Sequence, residues 1–175
     1  DPSKNKADVN QIIDEAVEYF QKRLPRHSAR VKIIVNHGEI PQVTVNQELL
    51  QWVLENLIRN SLDAMDKPTG VIEVKSGYEQ KKNQIIIEYY DNGKKKKELL
   101  YQEGALANSI VWEYYDNGNT KSVVNYNHND HAIKVEAWYE NNQPKLIEHY
   151  IGGSKDGRLY RWYENGQEKE RSMYI

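Results

Sequence analysis

The chain has 175 residues, a formal net charge of -2 and no cysteine. That length allows one domain or two small ones with a real core. The near-neutral balance supplies no basic field for nucleic acid, and the missing thiols exclude disulfides, thiol catalysis and cysteine metal sites. No apolar run approaches the ~18 residues of a spanning helix, so no membrane segment is expected. The sequence starts at Asp1 rather than Met and reads as a fragment or an assembled chain, with a cytoplasmic placement expected. Thirteen Tyr against one Phe, most of them beyond residue 88, point to thin sheets whose rings pack on a face while the hydroxyls reach water.

In chain order, Asp8 is a candidate N-cap for a helix from Val9 to about Leu24, with Val9, Ile12, Ile13, Ala16, Val17 and Phe20 as its buried stripe and Pro25 as its stop. Arg30–Asn36 alternates as a strand, His37-Gly38 turns, and Gln42–Val45 is a short second strand. Asn46 then caps a long helix to about Met65, with Leu50, Val53, Leu54, Leu57, Ile58, Leu62 and Met65 facing the core. Asn56, Asn60 and Asp63 are spaced four and three apart, on one line of that helix. Asn disfavours a helix interior because its amide competes with the backbone. The line is therefore either a solvated face or a site. Lys67-Pro68-Thr69-Gly70 closes the helix. Val71–Gly77 and Asn83–Tyr90 form a hairpin around Glu79–Lys82 that delivers Asp91.

The run Leu54-Glu55-Asn56-Leu57-Ile58-Arg59-Asn60-Ser61-Leu62-Asp63-Ala64-Met65, followed by a hairpin ending in Tyr90-Asp91-Asn92-Gly93, resembles the front half of the ATP-binding (GHKL) domain of sensor histidine kinases. The resemblance implies a partial GHKL-like α/β sandwich over residues 1–90. It implies that Asn60 holds a Mg²⁺ bridging the phosphates, and that Asn56 and Glu55 act at the phosphate end. Asp91 would accept the adenine amino group, and Gly93 would let the backbone approach the base. An amide oxygen is a fair ligand for Mg²⁺, which keeps most of its waters. After Gly93, however, comes Lys94–Lys97 in place of a lid, and no Gly-x-Gly follows to cradle phosphates. The phospho-accepting helical hairpin that precedes such domains has no counterpart, since neither His27 nor His37 sits in a helical pattern.

From here a repeat takes over. Tyr-Asp/Glu-Asn-Gly/Asn recurs at 90–93, 115–118, 139–142 and 163–166, with the acidic residues 25, 24 and 24 apart. Three further columns keep the register: Lys96, Lys121, Lys145 and Lys169; Tyr101, Tyr126, Tyr150 and Tyr174; Tyr89, Tyr114, Trp138 and Trp162. Asn-Gly after an aromatic strand is a two-residue hairpin signal, so each unit reads as strand, tight turn, strand, looser turn. The Lys column is expected to pair with the acidic-aromatic strand beside it. The pattern resembles the MORN-variant repeat over residues 84–175, which implies a non-catalytic scaffold.

The fold expected is α+β: two helices on a small sheet, continuing into an antiparallel β-meander of repeated hairpins. Lys94–Lys97 reads as a charged edge strand rather than an anion patch. His128, Asp130 and His131 share one loop and make no closed metal site. The Trp and Tyr columns read as packing along the meander rather than as a ligand platform. The function expected is a repeat scaffold or protein-interaction module in a recombined or engineered chimera, with an unidentified protein partner or self-association through edge strands, and no cofactor. The alternative is a vestigial ATP- and Mg-binding fragment using Asn56, Asn60, Asp91 and Gly93.

Overall fold

The computed structural model describes residues 5–23, 30–64 and 69–174. The chain is α+β, with two helices and mostly antiparallel strands. It divides into two compact units, Asp1–Leu106 and Ala107–Ile175. The expectations for Leu24, Pro25, His27, Met65, Lys67-Pro68 and Ile175 lie outside the described residues.

In the first unit a short strand, β1 (Asn5–Ala7), precedes the first helix, α1 (Val9–Gln21). Asp8 caps α1 through its carboxylate, which accepts the N–H groups of Asn10 at 2.9 Å and Gln11 at 3.3 Å. All six residues of the expected stripe are buried. Strands β2 (Arg30–His37) and β3 (Val43–Val45) follow, then α2 (Gln47–Asp63), capped by the Asn46 side chain on Leu49 N–H at 3.0 Å. Leu50, Leu54 and Ile58 are buried along α2, with Val53, Leu57 and Leu62 half-buried beside them. Strands β4 (Thr69–Glu79), β5 (Gln84–Asp91) and β6 (Lys94–Gln102) complete the unit. Their order is β2-β4-β5-β6, while β1 pairs separately with β3. The β2–β4 pair is parallel, which requires a crossover; β3 and α2 supply it.

Strand alternation sends Ile72, Val74, Ile85, Ile87, Tyr89, Leu99 and Tyr101 into one core with both helices. Each fully buried Ile or Leu contributes about 1.5–3 kcal/mol relative to exposure, before ordering entropy is counted. His37 ends β2 rather than opening a turn. Lys94–Lys97 is the first half of β6, paired with β5, and Lys95 forms ion pairs with Glu88 and Glu98.

The division between units falls within β7 (Ala105–Tyr114). The second unit continues with β8 (Thr120–Asn127), β9 (Ala132–Trp138), β10 (Pro144–Ile151), β11 (Ser154–Lys155), β12 (Gly157–Trp162) and β13 (Glu168–Tyr174). The order is β7-β8-β9-β10-β12-β13, antiparallel throughout, with β11 folding back on β10. Leu159 is the one fully buried hydrophobic of this unit among the described residues.

The four motif turns differ in a way their sequences conceal. At the first, Asn92 (φ 48°) and Gly93 (φ 78°) both take the left-handed conformation between the paired residues Asp91 and Lys94, a two-residue turn of the primed kind. At the later three, only Gly118, Asn142 and Gly166 do so. There the N–H of that residue donates to the Tyr three before it at 2.9, 3.0 and 2.9 Å, which makes a three-residue loop. The expected two-residue turn is thus corrected at 115–118, 139–142 and 163–166. A type I turn tolerates Asp-Asn or Glu-Asn and asks for positive φ only at its last residue.

Candidate functional site

Asn56 and Asn60 lie on the same face of α2, half-buried and exposed respectively, and Asp63 extends the line into solvent. Beside them Ser61 is buried, and Glu55 accepts an N–H from Gln51 at 3.2 Å. Beneath α2 sits Tyr89, 2% exposed, donating its hydroxyl to the Leu57 carbonyl at 3.1 Å. Burial drives the Tyr89 phenol far above its ordinary range, and the Asp91 charge adds to this. The end of β5 is thereby fastened to the middle of α2, two residues from Asp91.

Asp91 itself belongs to the turn. Its carboxylate accepts the side-chain amide of Asn92 at 2.8 Å. Asn92 in turn is bound on both sides of Val71: its N–H donates to the Val71 carbonyl at 2.8 Å and its side-chain oxygen accepts the Val71 N–H at 3.0 Å. Gly93 leads straight into β6. Among the described residues no hydrogen bond or ion pair joins Asp91 to Asn56 or Asn60. The side chains implied for Mg²⁺ and adenine are therefore present on α2 and at the end of β5. The backbone after Gly93 is committed to β-pairing with β5 rather than to a phosphate cradle, so the residues present do not fit a Mg-triphosphate group of the implied kind.

Sequence reasoning missed a polar chain on the other helix. His37 Nε2 lies 2.8 Å from Asp14 Oδ1, and its Nδ1 lies 3.5 Å from Ser76 Oγ. Ser76 donates instead to Asn10 Oδ1 at 2.6 Å, and Asn10 donates to the Gly38 carbonyl at 3.0 Å. With its proton committed to Asn10 and its side chain buried, Ser76 is no nucleophile. The chain ties α1 to β2 and β4. Asn10 inside an otherwise apolar-periodic helix was the available signal.

In the second unit each turn bonds to the next. Tyr115 donates its hydroxyl to the Trp138 carbonyl at 2.9 Å, and Tyr139 donates to the Trp162 carbonyl at 2.9 Å. Asn117 and Asn141 donate their side-chain amides to the carbonyls of Glu140 at 3.2 Å and Glu164 at 3.1 Å. Their side-chain oxygens accept the N–H groups of Asn119 and Gln143 inside their own turns, at 2.8 and 3.0 Å. The Lys column meets the acidic-aromatic strand beside it: Lys121 forms an ion pair with Glu113 at 3.9 Å. Lys145 sits 5.4 Å from the Tyr139 ring and Lys169 5.3 Å from the Tyr163 ring. The loop holding His128, Asp130 and His131 is shaped by Asn127, whose side chain accepts the N–H groups of Asn129 at 2.9 Å and His131 at 3.1 Å.

One charge device occurs twice. Tyr90 donates to Glu88, two residues earlier on the same face, at 3.3 Å, and Lys95 opposite Tyr90 completes the group. Tyr150 donates to Glu148 at 2.6 Å, and Lys155 opposite Tyr150 stands 2.5 Å from the same carboxylate. Glu148 is 5% exposed and also faces Arg161 at 3.8 Å. Burial pushes its carboxyl up, but the bonds from Lys155 and Tyr150 with the charges of Lys155 and Arg161 outweigh that and leave it below the usual range. The same bond, with burial, raises Tyr150 to about 12.

Among the described residues no helix is long and apolar enough to cross a membrane. No family model matches the chain, and no curated protein matches it. Among solved structures, the catalytic domain of histidine kinase ThkA in a nucleotide-free form matches at 17% identity and a TM-score of 0.44, covering 50% of this chain and 57% of that one. A second nucleotide-free crystal form of that domain gives 17% and 0.43, covering 50% and 55%. The chain thus spans little more than half of those domains. A GtfA/B complex bound to UDP and GlcNAc matches at 9% identity and a TM-score of 0.28, covering 82% of this chain and 39% of that one.

Proposed function

We propose that this protein is a non-catalytic scaffold: a MORN-variant-like repeat array that holds a fixed face for a protein partner, joined to a helix-backed unit of kinase-like build that no longer handles nucleotide. The observation that carries this reading is the turn ladder. Tyr115 to Trp138 and Tyr139 to Trp162 are the same bond at the same 23-residue offset, as are Asn117 to Glu140 and Asn141 to Glu164. Polar groups at these turns are spent on spacing one hairpin from the next, which is how a repeat scaffold uses them. The proposed chain is a recombined one, working in the cytoplasm.

Nucleotide-dependent melting tests the reading. Millimolar Mg-ATP or Mg-ADP should leave Tm unchanged, because a ligand that binds only the folded state would raise it by mass action. The alternative, a vestigial ATP and Mg site on Asn56, Asn60 and Asp91, requires a clear rise that Asp91→Asn abolishes. That result would overturn the scaffold reading.

A further inference from the structure

At the end of the first unit's sheet remote from Asp91, a cavity of about 220 Å³ opens between β3, the β4–β5 connection and the end of β6. Ile85 lies six positions before Asp91 on β5, roughly 20 Å at ~3.4 Å per residue, so this is no part of the turn at Asp91–Gly93. The floor is apolar: Val43, Ile85 and the ring of Tyr101. Tyr101 is 6% exposed, and its hydroxyl has no hydrogen-bond partner among the described residues. The ring is buried, but the hydroxyl oxygen is not sealed off and has the cavity in which to take a partner. Burial raises the phenol to about 12, so it stays protonated at neutral pH.

The rim is polar. Tyr78 donates to the Asn83 side chain at 2.7 Å. Asn83 (φ 50°), Glu103 (φ 50°) and Gly104 (φ 74°) all hold left-handed backbone, a strain that neighbouring structure must impose on the two non-glycines. Gly104 presses onto the Thr44 carbonyl so closely that a Cβ there would stand 1.6 Å from the oxygen. Glu103 brings one carboxylate to the mouth, and no Lys or Arg lines the cavity. Two phenol rings, one carboxylate and an unused hydroxyl form an acceptor-rich wall over an apolar floor. Its complement is a compact group rich in N–H donors on a short carbon skeleton.

We propose that this cavity binds a small primary amine as its ammonium form, with the ammonium between the Tyr101 hydroxyl and the Glu103 carboxylate and the carbon skeleton against Val43 and Ile85. The volume lies below the ~300 Å³ at which pockets for drug-sized ligands begin, which restricts the guest to a short chain. The site is independent of the scaffold reading, since it uses neither the turn ladder nor the Asn56–Asp91 region.

Calorimetric titration of the whole chain with n-butylammonium, n-butanol and butyrate tests this, since the three share a skeleton and differ at the head. Saturable binding is expected for the ammonium, weaker binding for the alcohol and none for the carboxylate. Tyr101→Phe should weaken ammonium binding about tenfold, as expected for losing a hydrogen bond to a charged group. It should leave Tm equal or higher, because the hydroxyl it removes has no partner in the free protein. Glu103→Gln, an exposed charge, should weaken binding about threefold to fivefold and reduce its salt dependence. The proposal is overturned if butanol or butyrate binds as tightly as the ammonium, or if none of the three binds. It is equally overturned if Tyr101→Phe binds butylammonium unchanged or lowers Tm.

Discussion

The two units are stabilised by different physics. The first closes an apolar core, with both helices laid on the inward residues of β4, β5 and β6. The second buries Leu159 and otherwise relies on half-buried rings, a ladder of turn hydrogen bonds and the group around Glu148. Apolar burial is non-directional and tolerates irregular elements, whereas a hydrogen-bond ladder repeats only if the spacing does. The first unit can therefore mix parallel and antiparallel pairs and two helices. The second can only add hairpins.

The largest expected effect separates the units directly. Ile58→Ala empties a fully buried position on α2 and should cost about 2–5 kcal/mol. Hydrogen exchange should then accelerate across residues 30–102 and leave the protected amides of 107–174 near their original rates. An equal loss of protection in both would show that the units share one cooperative core and would dissolve the comparison.

Glu148→Gln is the corresponding break in the second unit. It leaves Lys155 and Arg161 without their shared carboxylate, and Arg161 with Glu170, at 3.1 Å, as its remaining ion pair among the described residues. The expected cost is about 1–3 kcal/mol, reduced from a fully buried pair because both cations are part-exposed. The pH dependence follows from the two shifts. Glu148 is held below its ordinary value, so its contribution is complete above the unfolded pKa of about 4.3 and is lost as pH falls below it. Tyr150 is raised to about 12, so its contribution is complete below about 10 and is lost as pH climbs from there. Unfolding of the second unit followed against pH should show both limbs, and Glu148→Gln should remove the acid limb and flatten the alkaline one.

Local patterns in the sequence carried much of this. The α1 stripe from Val9 to Phe20 was legible to the residue because a 3.6 period leaves no second face to choose. The repeat was legible because its columns keep register over four copies. Turn geometry was not, because Asp-Asn-Gly satisfies two turn types. The choice at 91–93 is made by Val71, some twenty residues away in the chain, which binds both the backbone and the side chain of Asn92. At 116–118 it is made by Asn119 and Glu140. The Lys column was legible as a partner of the acidic-aromatic strand beside it: Lys121 meets Glu113 there, and Lys145 and Lys169 meet the rings of Tyr139 and Tyr163. The amine cavity was invisible because Thr44, Tyr78 and Tyr101 meet only after folding. For the side chains implied for nucleotide, the sequence supplied identities, while the commitment of the backbone after Gly93 to β6 is a tertiary fact.

The smallest effect is the sharpest test of the ladder. Tyr139 and Tyr163 occupy the same place in successive repeats, and each ring lies near a Lys of its own hairpin at nearly the same distance, 5.4 and 5.3 Å. They differ in the hydroxyl: that of Tyr139 donates to the Trp162 carbonyl, while that of Tyr163 has no hydrogen-bond partner among the described residues, in a residue 49% exposed. Tyr→Phe keeps the ring contact in both and deletes only the hydroxyl. Tyr139→Phe should cost about 1 kcal/mol, because it also leaves the Trp162 carbonyl short of a donor. Tyr163→Phe should change stability by less than about 0.5 kcal/mol. Chemical denaturation of the two variants side by side reads the difference, with the change in midpoint as the measure. Equal costs would mean that the rings rather than the hydrogen bonds set the spacing of the hairpins, and the second unit would then be held, like the first, by apolar contact.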